Sequence, residues 1–216
     1  MLGILMLQTR FPRPPGDIGN PASFAFPVRY GIVPGATPAA VVRNHDPALL
    51  AAFVQVGLTM VQQGAVALST SCGFLARWQR ELQAALPVPV WSSSLLKLAE
   101  LHGTSCAVIT IEAASLTAAH FEGVGADPAT AVEGIQPGSP LHRTLLEDLP
   151  ELDAIDAQAQ VLAAAARLRR RHPHLQALLL ECTNLPPYAD ALRAHSALPV
   201  HDIVTLLHER LAGLST

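Results

Sequence analysis

Ala65-Val66-Ala67-Leu68-Ser69-Thr70-Ser71-Cys72-Gly73-Phe74 and, further along, Leu175-Gln176-Ala177-Leu178-Leu179-Leu180-Glu181-Cys182-Thr183-Asn184-Leu185-Pro186 are two versions of one pattern. In each, an apolar run of strand length ends in a cysteine, small or polar residues follow, and a helical pattern begins. Each then reaches a Pro-Val pair at the same spacing: 89 − 72 = 17 positions from Cys72 to Pro89, and 199 − 182 = 17 from Cys182 to Pro199. Strand, cysteine, helix and Pro-Val thus occur twice. The repetition predicts a duplicated structural unit, each copy presenting a thiol at the carboxyl end of a strand.

Outward from these stretches, residues 1–8 read as a buried first strand, apolar without alternation as parallel strands are. Arg10 to Pro27 is rich in proline and glycine and irregular, and a loop of that length over the carboxyl edge of a sheet is expected to cover a substrate. Val28 to Val33 reads as a second strand. Asp46-Pro47 starts a helix that Gly64 ends. Phe74, Trp78, Leu82 and Ala85 mark the helix after Cys72, and Ser92 to Ser94 opens another. The strand Cys106–Ile111 restarts the pattern after Gly103. A long alanine-rich helix is expected over Asp153 to Arg171 with Ile155, Ala159, Leu162 and Ala166 inward. Asp202 caps a last helix.

Strands alternating with helices imply an α/β chain of two pseudo-symmetric units with mainly parallel sheets flanked by helices and the active site between them. The expected division is 1–100, joined by the C-terminal helix 203–216, and 101–202.

Half of the 216 residues are hydrophobic and 14% are charged, which supports a sizeable core and argues against disorder. The net charge of −3 offers no general attraction for nucleic acid. The apolar opening lacks a basic leader and no apolar run approaches a bilayer span, so no membrane partner and a cytoplasmic location are expected. Cys72, Cys106 and Cys182 are then free thiols. Cys106, in mid-strand, reads as core.

Cys72 and Cys182 each sit just before a helix start, where free N–H groups favour anions and are expected to lower a thiol's pKa. Ser69, Thr70, Ser71, Thr183 and Asn184 add donors for a carboxylate and for an enediolate-like intermediate. Two thiols on opposite faces of one α-carbon suit inversion of its configuration, one removing a proton and the other returning one. Pyridoxal phosphate would need a Schiff-base lysine. The single lysine, Lys97, lies in an apolar helical stretch with no phosphate-binding loop, so no cofactor is expected. No Cys-x-x-Cys spacing supports a redox pair, and no close ligand pairs support a metal.

The motifs "STSCGF" and "ECTNLPPY" within a duplicated α/β unit resemble the aspartate/glutamate/hydantoin racemase superfamily over essentially the whole chain. The resemblance implies a cofactor-independent enzyme, usually a homodimer. Cys72 and Cys182 would be its acid/base pair, and Ser71, Gly73, Thr183 and Asn184 its carboxylate contacts. Glutamate racemases carry an Asp-Ser pair where this chain has Gln8-Thr9, and a histidine where it has Asn184. The expected activity is therefore racemisation or epimerisation of another small carboxylate. The alternatives are a maleate-type cis–trans isomerase, an arylmalonate-type decarboxylase or a small-acid binding protein. Thr9, Phe74, Asp17, Asn20 and His201 complete the expected substrate contacts. Glu181 should point away from Cys182 on an alternating strand; if it reached the thiol it would raise that pKa.

Overall fold

The computed structural model describes residues 1–101 and 103–214. Two four-stranded sheets are built the same way. In the first, β1 (Leu2–Met6), β2 (Val28–Ile32), β3 (Ala67–Thr70) and β4 (Val90–Trp91) take the order β2-β1-β3-β4. In the second, β5 (Cys106–Thr110), β6 (Val132–Gly134), β7 (Ala177–Leu180) and β8 (Val200–His201) take the order β6-β5-β7-β8. Every pairing in both is parallel. Parallel neighbours need crossovers, and the helical patterns between the strands supply them. The fold class read from the alternation is the one observed.

The helices are α1 (Leu49–Gln62), α2 (Gln79–Ala85), α3 (Ala118–Gly123), α4 (Pro140–Leu146), α5 (Ala154–Arg171), α6 (Ala189–Ser196) and α7 (Ile203–Leu214). β1 is buried along its whole length because both faces are covered. Leu2, Ile4 and Met6 meet Ile203, Leu206 and Leu207 of α7, whereas Leu5 and Leu7 turn to the main core. This is the period of two expected of a strand between two layers. The main core is continuous across both halves and includes both Cys72 and Cys182. The last two positions of the expected 203–216 helix lie outside the described residues.

Local sequence explains most boundaries. Gly64 follows α1 with φ of 91°, a left-handed value that favours glycine. Asp153 caps α5 by accepting from the N–H groups of Ile155 and Asp156. The face of α5 is corrected, however. Ala157, Val161, Ala164, Ala165 and Leu168 are buried, while Ile155 is 84% exposed and Ala159 lies on the open side. In an alanine-rich helix the stripe of small residues that fits closely against the sheet decides the face, and one large apolar residue in the first turn does not. The segment after Cys72 is also tighter than an α-helix at first, with 3-10 turns over Gly73–Trp78 before α2. Here α3 of the second half crosses so closely that a Cβ on Gly123 would collide with the carbonyl of Ala76.

Candidate active site

β3 and β7 each run one residue past the strand before the chain turns. Ser71 N–H donates to Leu5 O and Glu181 N–H to Ile109 O, both at 2.9 Å. The cysteine comes next, and its carbonyl closes a turn in the same way in each half: Leu75 N–H to Cys72 O and Leu185 N–H to Cys182 O, both at 3.1 Å. The duplicated sequence has become a duplicated turn. The Thr183 hydroxyl donates to Ser71 O at 2.6 Å and ties the two turns together across the halves. The Ser71 hydroxyl oxygen accepts from Leu7 N–H at 2.8 Å.

Both cysteines line one cleft, together with Ser71, Gly73, Phe74, Thr183 and Asn184. The remaining wall is apolar and carried no motif: Leu7, Phe11, Pro38 and Val42 from the first half, Ile111, Leu145 and Leu146 from the second. Their contribution is shape, which no residue type announces. The cavity measures ≈ 20 Å³, space for about one water molecule, so a substrate must part these walls to reach the sulfur atoms. Two ion pairs beside the apolar wall join the halves. Arg10 pairs with Asp148 at 3.3 Å, and Asp148 also accepts from the N–H groups of Arg10 and Phe11. Arg43 pairs with Glu112 at 3.1 Å, and Glu112 also meets His142 Nε2 at 3.3 Å.

The other expected contacts stand behind the cleft. Asp17, 1% exposed, accepts from Arg13 at 2.8 Å and from Asn184 Nδ2 at 2.7 Å, so it anchors the loop to the second cysteine turn. Thr9 accepts from Arg13 at 2.8 Å, and Asn20 Nδ2 donates to Arg13 O at 2.8 Å. Asp17, Thr9 and Asn20 hold the loop in shape. His201 is outside this cluster and outside the cleft lining. The charges acting on it are Lys97, Glu209, Asp202 and Arg193. Lys97 itself is paired with Glu100 at 2.9 Å and Glu209 at 2.7 Å. Among the described residues no group of three His, Cys, Asp or Glu side chains could hold a metal ion, and no helix is long and apolar enough to cross a membrane.

The electrostatics correct the expected direction for the thiols. Burial is the largest influence on both and pushes Cys72 and Cys182 upward, not down. Cys72 is 7% exposed and Cys182 6%. Loss of hydration outweighs the short helical starts, whose Phe74 and Asn184 N–H groups do favour the thiolates. Glu181 adds to the upward push on both sulfur atoms. Its side chain, 0% exposed, is buried between Thr110 and Gly73. Burial raises its own pKa to about 8, while the hydrogen bond from Thr110 Oγ1, 2.6 Å from Oε2, opposes the rise.

The parallel α/β duplication is a fold shared with solved racemase and decarboxylase structures. Allantoin racemase from Klebsiella pneumoniae superposes with a TM-score of 0.65 at 18% identity, covering 100% of this chain and 89% of that one. Arylmalonate decarboxylase gives 0.60 at 14%, covering 92% and 86%. In sequence, the chain is similar to dimethylsulfoniopropionate lyase 7 of Emiliania huxleyi (strain CCMP1516), 29% identical over 230 residues, 99% of this chain and 67% of that protein. It is likewise similar to a dimethylsulfoniopropionate lyase of Durusdinium sp. clade D, at 28% over 225 residues, 94% of this chain and 71% of that protein. No family model matches the chain. These relatives overturn the expected activity: proteins alike over nearly the whole chain are named as lyases, not as isomerases that invert a carbon. A racemase and a decarboxylase share this fold, so strand order alone does not separate one chemistry from another.

Proposed function

We propose that this chain is a carbon–sulfur lyase acting on a small sulfonium carboxylate of the dimethylsulfoniopropionate type. The observation that carries the proposal is the full-length likeness to lyases of that name joined to a cleft in which two thiols face an apolar, aromatic-bearing wall. A dialkyl sulfonium has no hydrogen to donate and no lone pair that accepts well. Its cation is suited by an aromatic side chain such as Phe74 in the cleft lining, whereas the Phe11 ring already carries the Arg13 guanidinium, 4.6 Å from its centroid. The carboxylate belongs at the cysteine turns, beside Ser71 and the backbone of Gly73 and Thr183.

Elimination and inversion begin with the same act, removal of a proton from the carbon next to a carboxylate. As thiolate, Cys182 takes that proton. The electron pair left behind forms the carbon–carbon double bond while the bond from the β-carbon to sulfur breaks and its pair stays on sulfur. A neutral dialkyl sulfide and an acrylate leave, and the proton rests on Cys182. Turning a cation into a neutral sulfide inside an apolar wall favours bond breaking, because the wall solvates the product better than the substrate. Elimination needs one base. Cys182 is assigned that role because its S–H donates to Asn184 Oδ1 at 3.6 Å, which aims the resting thiol, and Asn184 is in turn anchored on Asp17. Cys72 faces the substrate as a neutral thiol.

The test supplies dimethylsulfoniopropionate to the purified chain and measures dimethyl sulfide in the headspace and acrylate by NMR. Both are expected in equal amounts, and Cys182→Ser should lower the rate by about 10²–10⁴-fold, the usual weight of a positioned base. Folded protein that releases no sulfide defeats the proposal.

A further inference from the structure

Glu181 is a buried carboxyl group with no cation to pair it among the described residues, set directly behind both cysteine turns. Its backbone precedes Cys182. Its side chain presses on the chain at Gly73, the residue after Cys72, so closely that a Cβ there would collide with Oε1. Thr110 serves Oε2, and Oε1 has no hydrogen-bond partner among the described residues. A lone charge buried this way costs several kcal/mol unless it is neutralised or shared.

We propose that Glu181 is the proton partner of the cysteine pair: the three buried groups share one negative charge, and a sulfur becomes a thiolate only while Glu181 holds the proton. The step balances. No hydrogen bond joins either sulfur to Glu181 among the described residues, so the exchange runs through solvent protons: Glu181 takes up a proton, an S–H bond breaks, its electron pair stays on sulfur and that proton leaves, and the total charge is unchanged. Without a ligand the carboxyl gives up its proton only above about pH 8 and then takes the charge ahead of the thiols, because it is still a stronger acid than they are. A sulfonium cation lodged beside the sulfur atoms draws the charge to the thiol, which keeps free thiols unreactive until substrate arrives. The other ionisable groups facing the set are Arg13 and Asp17 from the loop and Tyr188 after the second turn. Arg13 and Asp17 pair with each other. Glu181 does not line the cleft, so it acts through the cysteines as a positioning residue.

This inference rests on the thiol-base reading above, but its test needs no substrate. Iodoacetamide alkylation of Cys72 and Cys182 in the full chain, followed for each cysteine by mass spectrometry across pH, reads the thiolate directly. Glu181→Gln removes the competing carboxylate, so both thiols should ionise at lower pH. Alkylation at a fixed alkaline pH should rise about ten-fold for each pH unit of that shift. Thr110→Val, which removes the donor to Oε2, should act in the same direction more weakly, and Thr110→Ser should restore the wild-type profile. If Glu181→Gln fails to fold, the Thr110 pair decides. Unchanged or slower alkylation in folded variants overturns the proposal. Absence of sulfide release would overturn the lyase reading and leave this result standing.

Discussion

The two cysteine turns share a backbone and differ in what stands behind them. The first is closed by Cys72 O, which also accepts from Thr70 Oγ1 at 3.0 Å, and is backed by the hydroxyl of Ser71 and the close approach at Gly73. The second is closed in the same way by Cys182 O but carries Glu181 before the sulfur and Asn184 after it, with Asn184 tied to a buried Asp17. The difference teaches that duplication preserved the geometry and the polar support of the backbone, while the carboxyl group and the amide bonded to a sulfur stand on one copy. A two-base inversion makes equal demands on two sulfur atoms; an elimination makes one of them the base, and the lopsided support accords with that.

The largest expected effect breaks or sharpens this comparison directly. Cys182→Ser should reduce sulfide release by about 10²–10⁴-fold and Cys72→Ser by clearly less, measured as kcat/KM. Equal losses would restore symmetry between the turns and remove the assignment of Cys182 as base. Next, Asp17→Ala strips the second turn of its anchor and leaves the largely buried Arg13 with the Thr9 hydroxyl and the Phe11 ring but no counter-charge, for a loss of about 3–5 kcal/mol in denaturant unfolding. Loss within the range of surface ion pairs would show that the loop does not depend on that anchor.

Glu181 makes the second turn pH-sensitive, with a definite sign. Its folded pKa of about 8 lies above that of an exposed carboxyl, so the folded protein holds a proton that the unfolded chain has released. Stability from this group is therefore complete at acid pH and falls as pH rises from the usual carboxyl range through about 8. Melting temperatures of Glu181→Gln and wild type should diverge in favour of the variant across that window; parallel curves would place the charge elsewhere. The Arg10–Asp148 clasp is more exposed and should contribute about 0–1 kcal/mol. Asp148→Ala should leave stability nearly unchanged yet speed alkylation of both cysteines by freeing Phe11 at the wall. At the small end, Ile155→Lys on the open face of α5 should change stability by less than about 0.5 kcal/mol.

The sequence by itself determined the duplication, the parallel α/β class and the placing of a cysteine at the end of a strand in each copy. All three rest on local signals: apolar runs without alternation, caps, and a spacing repeated to the residue. Ser71, Gly73, Phe74, Thr183 and Asn184 were legible for the same reason, since each is a neighbour in the chain of a cysteine already placed. Tertiary structure alone decided which face of α5 turned inward, because a stripe of alanines outweighed Ile155 only once there was a sheet to fit. It decided that Phe11, Pro38, Val42, Leu145 and Leu146 close the cleft, a contribution of shape from three separate stretches. It also reversed the direction of the thiol pKa values: local sequence placed helical N–H groups beside the sulfur atoms, but only the fold determined how completely water was removed from them and that a buried carboxylate stood behind both.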